Sequence, residues 1–120
     1  MKHLFPLALL LLVWACSSTK DKQTANDTSP WIDRQIDAYK AEEPITPPRT
    51  ISAYLFDGDT VYHITAPCCD QFSSLYSNEG AFICHPDGGI TGKGDGSCPS
   101  FRTQATFLFE VWKDERNQLK

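Results

Sequence analysis

The sequence predicts an α+β fold, in which an N-terminal helix packs on a small antiparallel sheet of hairpins that is cross-linked by disulfides. Three observations support this fold class. An amphipathic pattern opens the folded part, short runs of β-branched and aromatic residues separated by turn residues follow it, and four cysteines lie among those runs. A helix that precedes consecutive hairpins is expected to bury its apolar side against one face of the sheet.

The helix is predicted in the segment SPWIDRQIDAYKAEE. Ser29 suits the N-cap position and Pro30 suits the first helical position. Apolar residues recur along one side at helical spacing, and charged residues occupy the other side. The apolar residues are Trp31, Ile32, Ile36 and Tyr39. Pro44 ends the pattern, because the residue before a proline is disfavoured in the α-helical region.

The first two strands are predicted in ISAYLF and VYHITA, which flank the segment DGDT. Asp57-Gly58 is a hairpin signal, because both residues adopt positive φ more readily than most. Tyr54 and Phe56 are expected to project to one face of the sheet, with Tyr62 and Ile64 joining them. His63 is then expected on the opposite face as an ordinary exposed strand histidine.

Three further strands complete the predicted sheet. A second hairpin is predicted in SLYSNEGAFIC, with its turn at Asn78-Glu79-Gly80. The last strand is predicted in ATFLFEVW, whose successive side chains would point to alternate sides of the sheet. The folded domain is predicted to span residues 30–114, followed by a polar tail over residues 115–120. A domain of this size has a marginal core, so cross-links are expected to matter.

The N-terminus reads as a bacterial lipoprotein signal. Residues 1–15, MKHLFPLALLLLVWA, carry a lysine and then an apolar run too short to span a bilayer, and they end in a sequence that resembles a lipobox. Ala15 is the small residue before Cys16, which is predicted to be lipidated, with palmitate among its acyl chains. An ordinary secretory signal is the alternative. Ser17 favours the outer membrane over the inner membrane.

The mature chain is predicted to begin with a tether and to be acidic. Residues 16–29 contain no apolar residue larger than alanine after Cys16, so they are expected to form a flexible spacer. Without Lys2, ten basic residues face fifteen acidic ones, a formal charge of −5. This balance argues against nucleic-acid binding, which requires a basic surface. The predicted location is therefore the cell envelope, with the membrane as a partner through the lipid anchor.

Four cysteines remain after Cys16, and an even number in a small exported domain predicts two disulfides. A bridge between the neighbours Cys68 and Cys69 is disfavoured as strained. Two patterns remain, and each joins this pair to Cys84 and Cys98. Structural zinc is the rival interpretation, but the sequence lacks a C-x-x-C pair.

The segment CHPDGGITGKGDGSCP holds five of the seven glycines of the chain. It does not match the phosphate-loop pattern, because the lysine spacing is wrong, or the dinucleotide-binding pattern, because the final glycine is missing. It does not match an EF-hand, because the acidic ligands are missing. A non-standard calcium site at Asp87 and Asp95 remains as a tentative metal prediction, and no other cofactor is expected. The favoured interpretation is an ordered structural loop, since glycines permit backbone conformations that are forbidden to other residues.

The run from Cys68 to Phe101 resembles a domain-of-unknown-function family of small exported bacterial proteins, many of which carry lipoprotein signals. The matching pieces are CCDQ, LY before a glycine turn, IC-x-PDGG, G-x-GDG and a cysteine shortly before a phenylalanine. The resemblance covers about a third of the chain. It implies a similar fold and compartment, and it supplies no catalytic residue.

No catalytic constellation stands out in the sequence, so no enzyme activity is predicted. The predicted function is a membrane-tethered binding or structural module of the cell envelope, with an envelope protein as partner. The alternative is a calcium-binding or hydrolytic protein that uses Asp87 and Asp95 of the glycine-rich segment.

Overall fold

A computed structural model describes residues 28–116 of the chain. Helix α1 spans Pro30–Ala41, and the strands that follow are β1 (Thr50–Phe56), β2 (Asp59–Ile64), β3 (Ser74–Ser77) and β4 (Phe82–Cys84). A short helix α2 (Phe101–Gln104) leads into the last strand β5 (Thr106–Lys113). All strand pairs are antiparallel, and the order across the sheet is β4-β3-β2-β1-β5. The predicted α+β fold of one helix on an antiparallel, disulfide-linked sheet is confirmed.

Helix α1 begins as its sequence predicts, with Pro30 at the first position and Ser29 before it. The Ser29 side chain makes no capping bond. Its hydroxyl donates to Oδ1 of Asn78 over 2.8 Å, and the indole Nε1 of Trp31 donates to the carbonyl of Asn78 over 3.0 Å. The start of the helix is therefore fixed to the β3–β4 turn by side chains instead of by its own cap.

The other end of α1 is capped from the C-terminal segment. The Arg116 guanidinium donates to the carbonyl oxygens of Tyr39, Lys40 and Glu42 over 3.0–3.1 Å. Asp114, which is 3% exposed, holds this guanidinium through bonds of 2.7 and 2.8 Å, and the Arg116 hydrogen bond lowers the pKa of the carboxyl. The last carbonyls of a helix need such partners, so this arginine from the predicted polar tail belongs to the fold.

The β1–β2 hairpin turns at Asp57-Gly58, as predicted, and both residues have positive φ, at 51° and 82°. This two-residue turn sets Phe56 opposite Asp59, which places Tyr54 opposite Val61 and Ala53 opposite Tyr62. The expectation that Tyr54 and Phe56 share a face with Tyr62 and Ile64 is therefore wrong. Opposed residues project to the same side, so Tyr62 and Ile64 join Ile51 and Ala53.

The sheet consequently has two covered faces. The helix face packs against α1 through a cluster formed by Ile32, Ile51, Ala53, Tyr62 and Ile64. The loop face has a separate cluster, formed by Phe56, Val61, Leu75, Cys84, Cys98 and Phe101. The second cluster includes residues from the glycine-rich segment and from α2, so that segment takes the place of a second helix.

Candidate functional site

The glycine loop, defined as Cys84–Cys98, leaves the end of β4 and returns to the same place. A disulfide joins Cys84 to Cys98, with their Cα atoms 6.2 Å apart, and both residues lie in the loop-face cluster. Phe101, three residues further on, is 5% exposed. The base of the loop is therefore part of the protein core, and only its outer part reaches solvent.

The expected disulfide connectivity is wrong. Cys84 bonds to Cys98 and Cys68 bonds to its neighbour Cys69, so neither pattern that joins the two regions is present. The reason lies in the sheet. Cys84 projects to the loop face beside Leu75, whereas Cys68 and Cys69 lie in the connection that follows β2. All four predicted cysteines nevertheless form disulfides.

Asp87 ties the glycine loop to the middle of the sheet. Its carboxylate accepts a 2.5 Å bond from the hydroxyl of Ser73 and lies 2.9 Å from Nε2 of His63. The main-chain N–H of Ser73 also donates to the Asp87 carbonyl over 3.2 Å. Because one carboxylate oxygen has its partner in β2 and the other in the residue directly before β3, Asp87 acts as an anchor of the loop.

His63 is not the exposed strand histidine that was expected. Only 13% of its side chain is exposed, and its ring stacks on Phe101 with centroids 6.0 Å apart and planes 11° apart. The group of Ser73, Asp87 and His63 also differs from a hydrolase triad. A triad serine bonds to the histidine base, whereas the Ser73 hydroxyl, in a residue 2% exposed, donates to the carboxylate.

Asp95 closes the second half of the loop from within. Its carboxylate accepts the backbone N–H groups of Ser97 and His85 over 2.8 and 3.0 Å, and these bonds hold the pKa of the carboxyl below its usual range. The adjacent Gly94 has a φ of +71°, and a Cβ there would overlap the carbonyl oxygen of His85. Only glycine fits a backbone that passes this close.

The calcium prediction at Asp87 and Asp95 stays a prediction. Both carboxylates are engaged in the bonds just described, and a hard cation needs six to eight oxygen ligands. Within residues 28–116, no group of three or more histidine, cysteine, aspartate or glutamate side chains is arranged to hold a metal ion. A rise in melting temperature with millimolar calcium, absent in Asp95→Asn, would establish such a site.

The tip of the glycine loop presents an apolar side chain on a fixed backbone. Ile90 is 90% exposed, the most exposed of the large hydrophobic residues that the structure describes. Behind it, Gly92 N–H donates to the Gly89 carbonyl over 3.2 Å, and the Arg102 guanidinium donates to the Gly92 carbonyl over 2.8 Å. The backbone that carries Ile90 is therefore held in place by hydrogen bonds and by the disulfide at its base.

A second feature, which we call the corner cleft, lies on the helix face beside the C-terminal end of α1. It has a volume of about 520 Å³, and its walls include Tyr39, Arg49 and the connection from Pro67 to Phe72. No sequence pattern predicts this cleft, because its walls come from segments far apart in the chain. The only available signal was the polar cluster Asp70-Gln71 directly after the cysteine pair.

These observations define a class of protein: a small disulfide-bonded α+β domain that presents a fixed loop on one sheet face and an open cleft on the other. The family model described as "Domain of unknown function (DUF6970)" matches residues 37–114, which is more than half of the chain. The protein belongs to this family, and the expected membership of a family of unknown function is confirmed at that level. Comparisons with curated proteins and with solved structures give no match.

The remaining predictions concern residues that the structure leaves undescribed. The signal peptide over residues 1–15, the lipidation site Cys16 and most of the tether over residues 16–29 lie outside residues 28–116. Across the described residues, no helix combines the length and the apolar character that a membrane crossing requires.

Proposed function

We propose that this protein is a lipid-anchored, non-enzymatic binding module of the bacterial cell envelope, and that the tip of the glycine loop is the surface that contacts a protein partner. The observation that carries the proposal is the exposure of Ile90, 90% of which faces solvent on a backbone that is already fixed. An ordered apolar side chain at a protein surface is an effective anchor for a partner's pocket.

The fixed backbone matters because binding has to offset the entropy lost when a contact surface becomes ordered. A loop held in its bound conformation before binding loses less of this entropy on association. The disulfide at the base, the Arg102 bond to Gly92 and the Asp87 anchor together supply that order. Lys93 and Arg102 are exposed near the tip, so an apolar pocket with an acidic rim is the complementary surface.

The proposed lipid anchor is supported by the sequence alone. The lipobox-like end of the signal places Cys16 where lipidation occurs, and residues 16–29 supply a spacer that is polar after Cys16. In cells grown with an alkyne-labelled palmitate, we expect label on the wild-type protein, and none on Cys16→Ser. A labelled Cys16→Ser protein, or an unlabelled wild type, would contradict lipidation at this residue.

The proposed contact between the loop tip and a protein partner is tested by a pulldown. Purified full-length protein in detergent is used to capture binding proteins from envelope extract. We expect one dominant partner in amounts close to equimolar, lost with Ile90→Asp. The matched control is Leu108→Asp, which places the same charge at an exposed apolar residue of β5, 42% exposed. Equal capture by Ile90→Asp and wild type would show that the tip is not the docking surface.

A further inference from the structure

The corner cleft exists because α1 crosses the sheet diagonally. Near its start, Trp31 lies against Tyr62 and Tyr76, with ring centroids 5.7 and 5.3 Å apart. Near its end, Tyr39 stacks on Trp112 of β5 at 6.1 Å. The corner of the helix face at the end of β2 and the beginning of β3 is therefore left uncovered by α1, and the connection from Pro67 to Phe72 forms its outer wall. Its volume of about 520 Å³ lies in the range of small-molecule sites.

Two polar side chains and one ring nitrogen of this cleft have no hydrogen-bond partner within residues 28–116. Asp70 and Gln71 make side-chain hydrogen bonds to none of the described residues, although the Gln71 backbone is held by bonds to Cys68 and Gly89. The third is the Nε2 atom of His85. Its Nδ1 atom lies 2.7 Å from the Ser73 carbonyl, which only accepts, so Nδ1 carries the proton. In the neutral ring, Nε2 is then an acceptor.

The one strong cation of the cleft is already neutralised. The Arg49 guanidinium, in a side chain 14% exposed, lies 2.6 Å from the Glu42 carboxylate and 4.3 Å above the Tyr39 ring. A phosphate or nucleotide ligand would meet no uncompensated cation in this lining, because the uncompensated charge is the negative one of Asp70. A purely apolar ligand would leave the carboxylate, the amide and the imidazole without partners, which is costly once water is excluded.

A ligand that is neutral and rich in hydroxyl groups fits this lining, because hydroxyls both donate and accept and so can pair with the carboxylate, with both polar atoms of the amide and with the imidazole nitrogen. The Asp70 carboxylate and the Gln71 amide each present two polar atoms in a plane, which matches two neighbouring hydroxyls. The His85 Nε2 atom accepts a third hydroxyl. Phe72, which is 42% exposed and stacks on His85 at 5.0 Å, supplies an apolar surface for the C–H side of a ring.

We infer that the corner cleft is a saccharide-binding site in which Asp70, Gln71 and the His85 Nε2 atom contact sugar hydroxyls. This site is separate from the proposed docking surface, because Ile90 does not line the cleft. The two proposals can therefore fail independently.

The test uses the full chain in a detergent without a sugar headgroup. Glucose, maltose, N-acetylglucosamine and its dimer serve as probes, with acetate and inorganic phosphate as anionic comparisons. Binding is followed by saturation-transfer NMR and by calorimetric titration. We expect at least one sugar to bind saturably and neither anion to do so.

Gln71→Ala is the informative variant, because it removes the amide and keeps the backbone bonds that order the connection. We expect it to weaken sugar binding about tenfold, because one or two hydrogen bonds to the sugar are lost in the cleft. Gln104→Ala, at an exposed glutamine of α2, is the matched control and should bind as wild type does. Ile90→Asp should also bind normally.

Three results would overturn the inference: no sugar of the panel binding up to tens of millimolar, phosphate binding in place of sugar, or unchanged sugar affinity in Gln71→Ala. The last result would place the sugar elsewhere on the protein. A thermal unfolding scan of each variant confirms that a loss of binding is not a loss of fold.

Discussion

The two faces of the sheet are covered in different ways. On the helix face, α1 satisfies its own backbone hydrogen bonds and contributes apolar side chains such as Ile32, which is fully buried. On the loop face, the glycine loop has no such internal ladder. Its backbone groups find partners one at a time, through Asp95, Asp87 and contacts to Phe72 and Ser73. A loop that covers a sheet therefore needs specific polar partners along its length and a covalent closure, whereas a helix needs an apolar stripe and polar partners only at its ends, such as Arg116 here.

The largest expected loss of stability follows from a substitution on the helix face. Ile32→Ala removes a fully buried side chain from between α1 and the sheet, so we expect the free energy of unfolding to fall by about 4 kcal/mol, as is usual for a core isoleucine. Urea unfolding followed by tryptophan fluorescence measures it. Arg34→Ala, at an exposed position of the same helix, is the control and should change stability by less than about 0.5 kcal/mol. A small effect of Ile32→Ala would mean that α1 contributes little to the fold.

The next effect distinguishes the two disulfides. Replacing both Cys84 and Cys98 by alanine opens a cross-link between residues 14 positions apart and should cost about 3 kcal/mol in the chain-entropy model. Replacing both Cys68 and Cys69 opens a link between neighbours, for which the same model gives only about 1 kcal/mol. Urea unfolding of both double variants measures the difference. Equal losses would contradict the view that closure of the glycine loop is what stabilises the loop face.

A loss of stability of similar size is expected where the loop backbone passes close to His85. Gly94→Ala places a methyl group against the His85 carbonyl at a φ of +71°, so we expect a loss of about 3 kcal/mol, comparable to overpacking with added backbone strain. Gly92→Ala has the same φ and no atom within 4 Å of the added Cβ, so only the strain of about 1 kcal/mol should remain. Both are read from urea unfolding. If both variants lose the same stability, the loop does not pack against His85 as described.

The smallest expected loss of stability follows from removing a carboxylate, and it depends on pH. Hydrogen bonds lower the folded-state pKa of Asp95, so its contribution to stability is present above the ordinary carboxyl pKa of about 3.9 and is lost as pH falls through the lower folded value. Asp95→Asn should therefore melt below wild type at neutral pH, and the gap should close under acid. Asp114→Asn should behave in the same way, because Arg116 lowers the pKa of Asp114. A difference in melting temperature that does not change with pH would show that the charge of the carboxylate does not contribute to stability.

The elements of the helix face could be predicted from the sequence, whereas the contacts of the loop face could not. Pro30 and the spacing from Trp31 to Tyr39 identify α1, and Asp57-Gly58 identifies the first hairpin. The assignment of strand faces was wrong although the signal was present. A two-residue turn fixes Phe56 opposite Asp59, and counting outward from that pair separates Tyr54 from Tyr62.

The contacts of the loop face depend on how the chain returns after β4. The pairing of Asp87 with His63, across 24 residues, follows from the path of the glycine loop and has no local pattern. The same is true of the disulfides, since an even number of cysteines allows several connectivities. The corner cleft depends on the angle at which α1 crosses the sheet, which the helical spacing alone does not determine.

The closure of the glycine loop at Cys84 and Cys98 has a consequence for proteolysis. A protease that cut the chain at exposed Lys93 would produce two pieces that remain joined through sulfur. Strands β4 and β5, on either side of the cut, would stay attached to the sheet. The nick would be visible in a denaturing gel only after reduction, and cleavage of the loop would not release the C-terminal piece that carries β5.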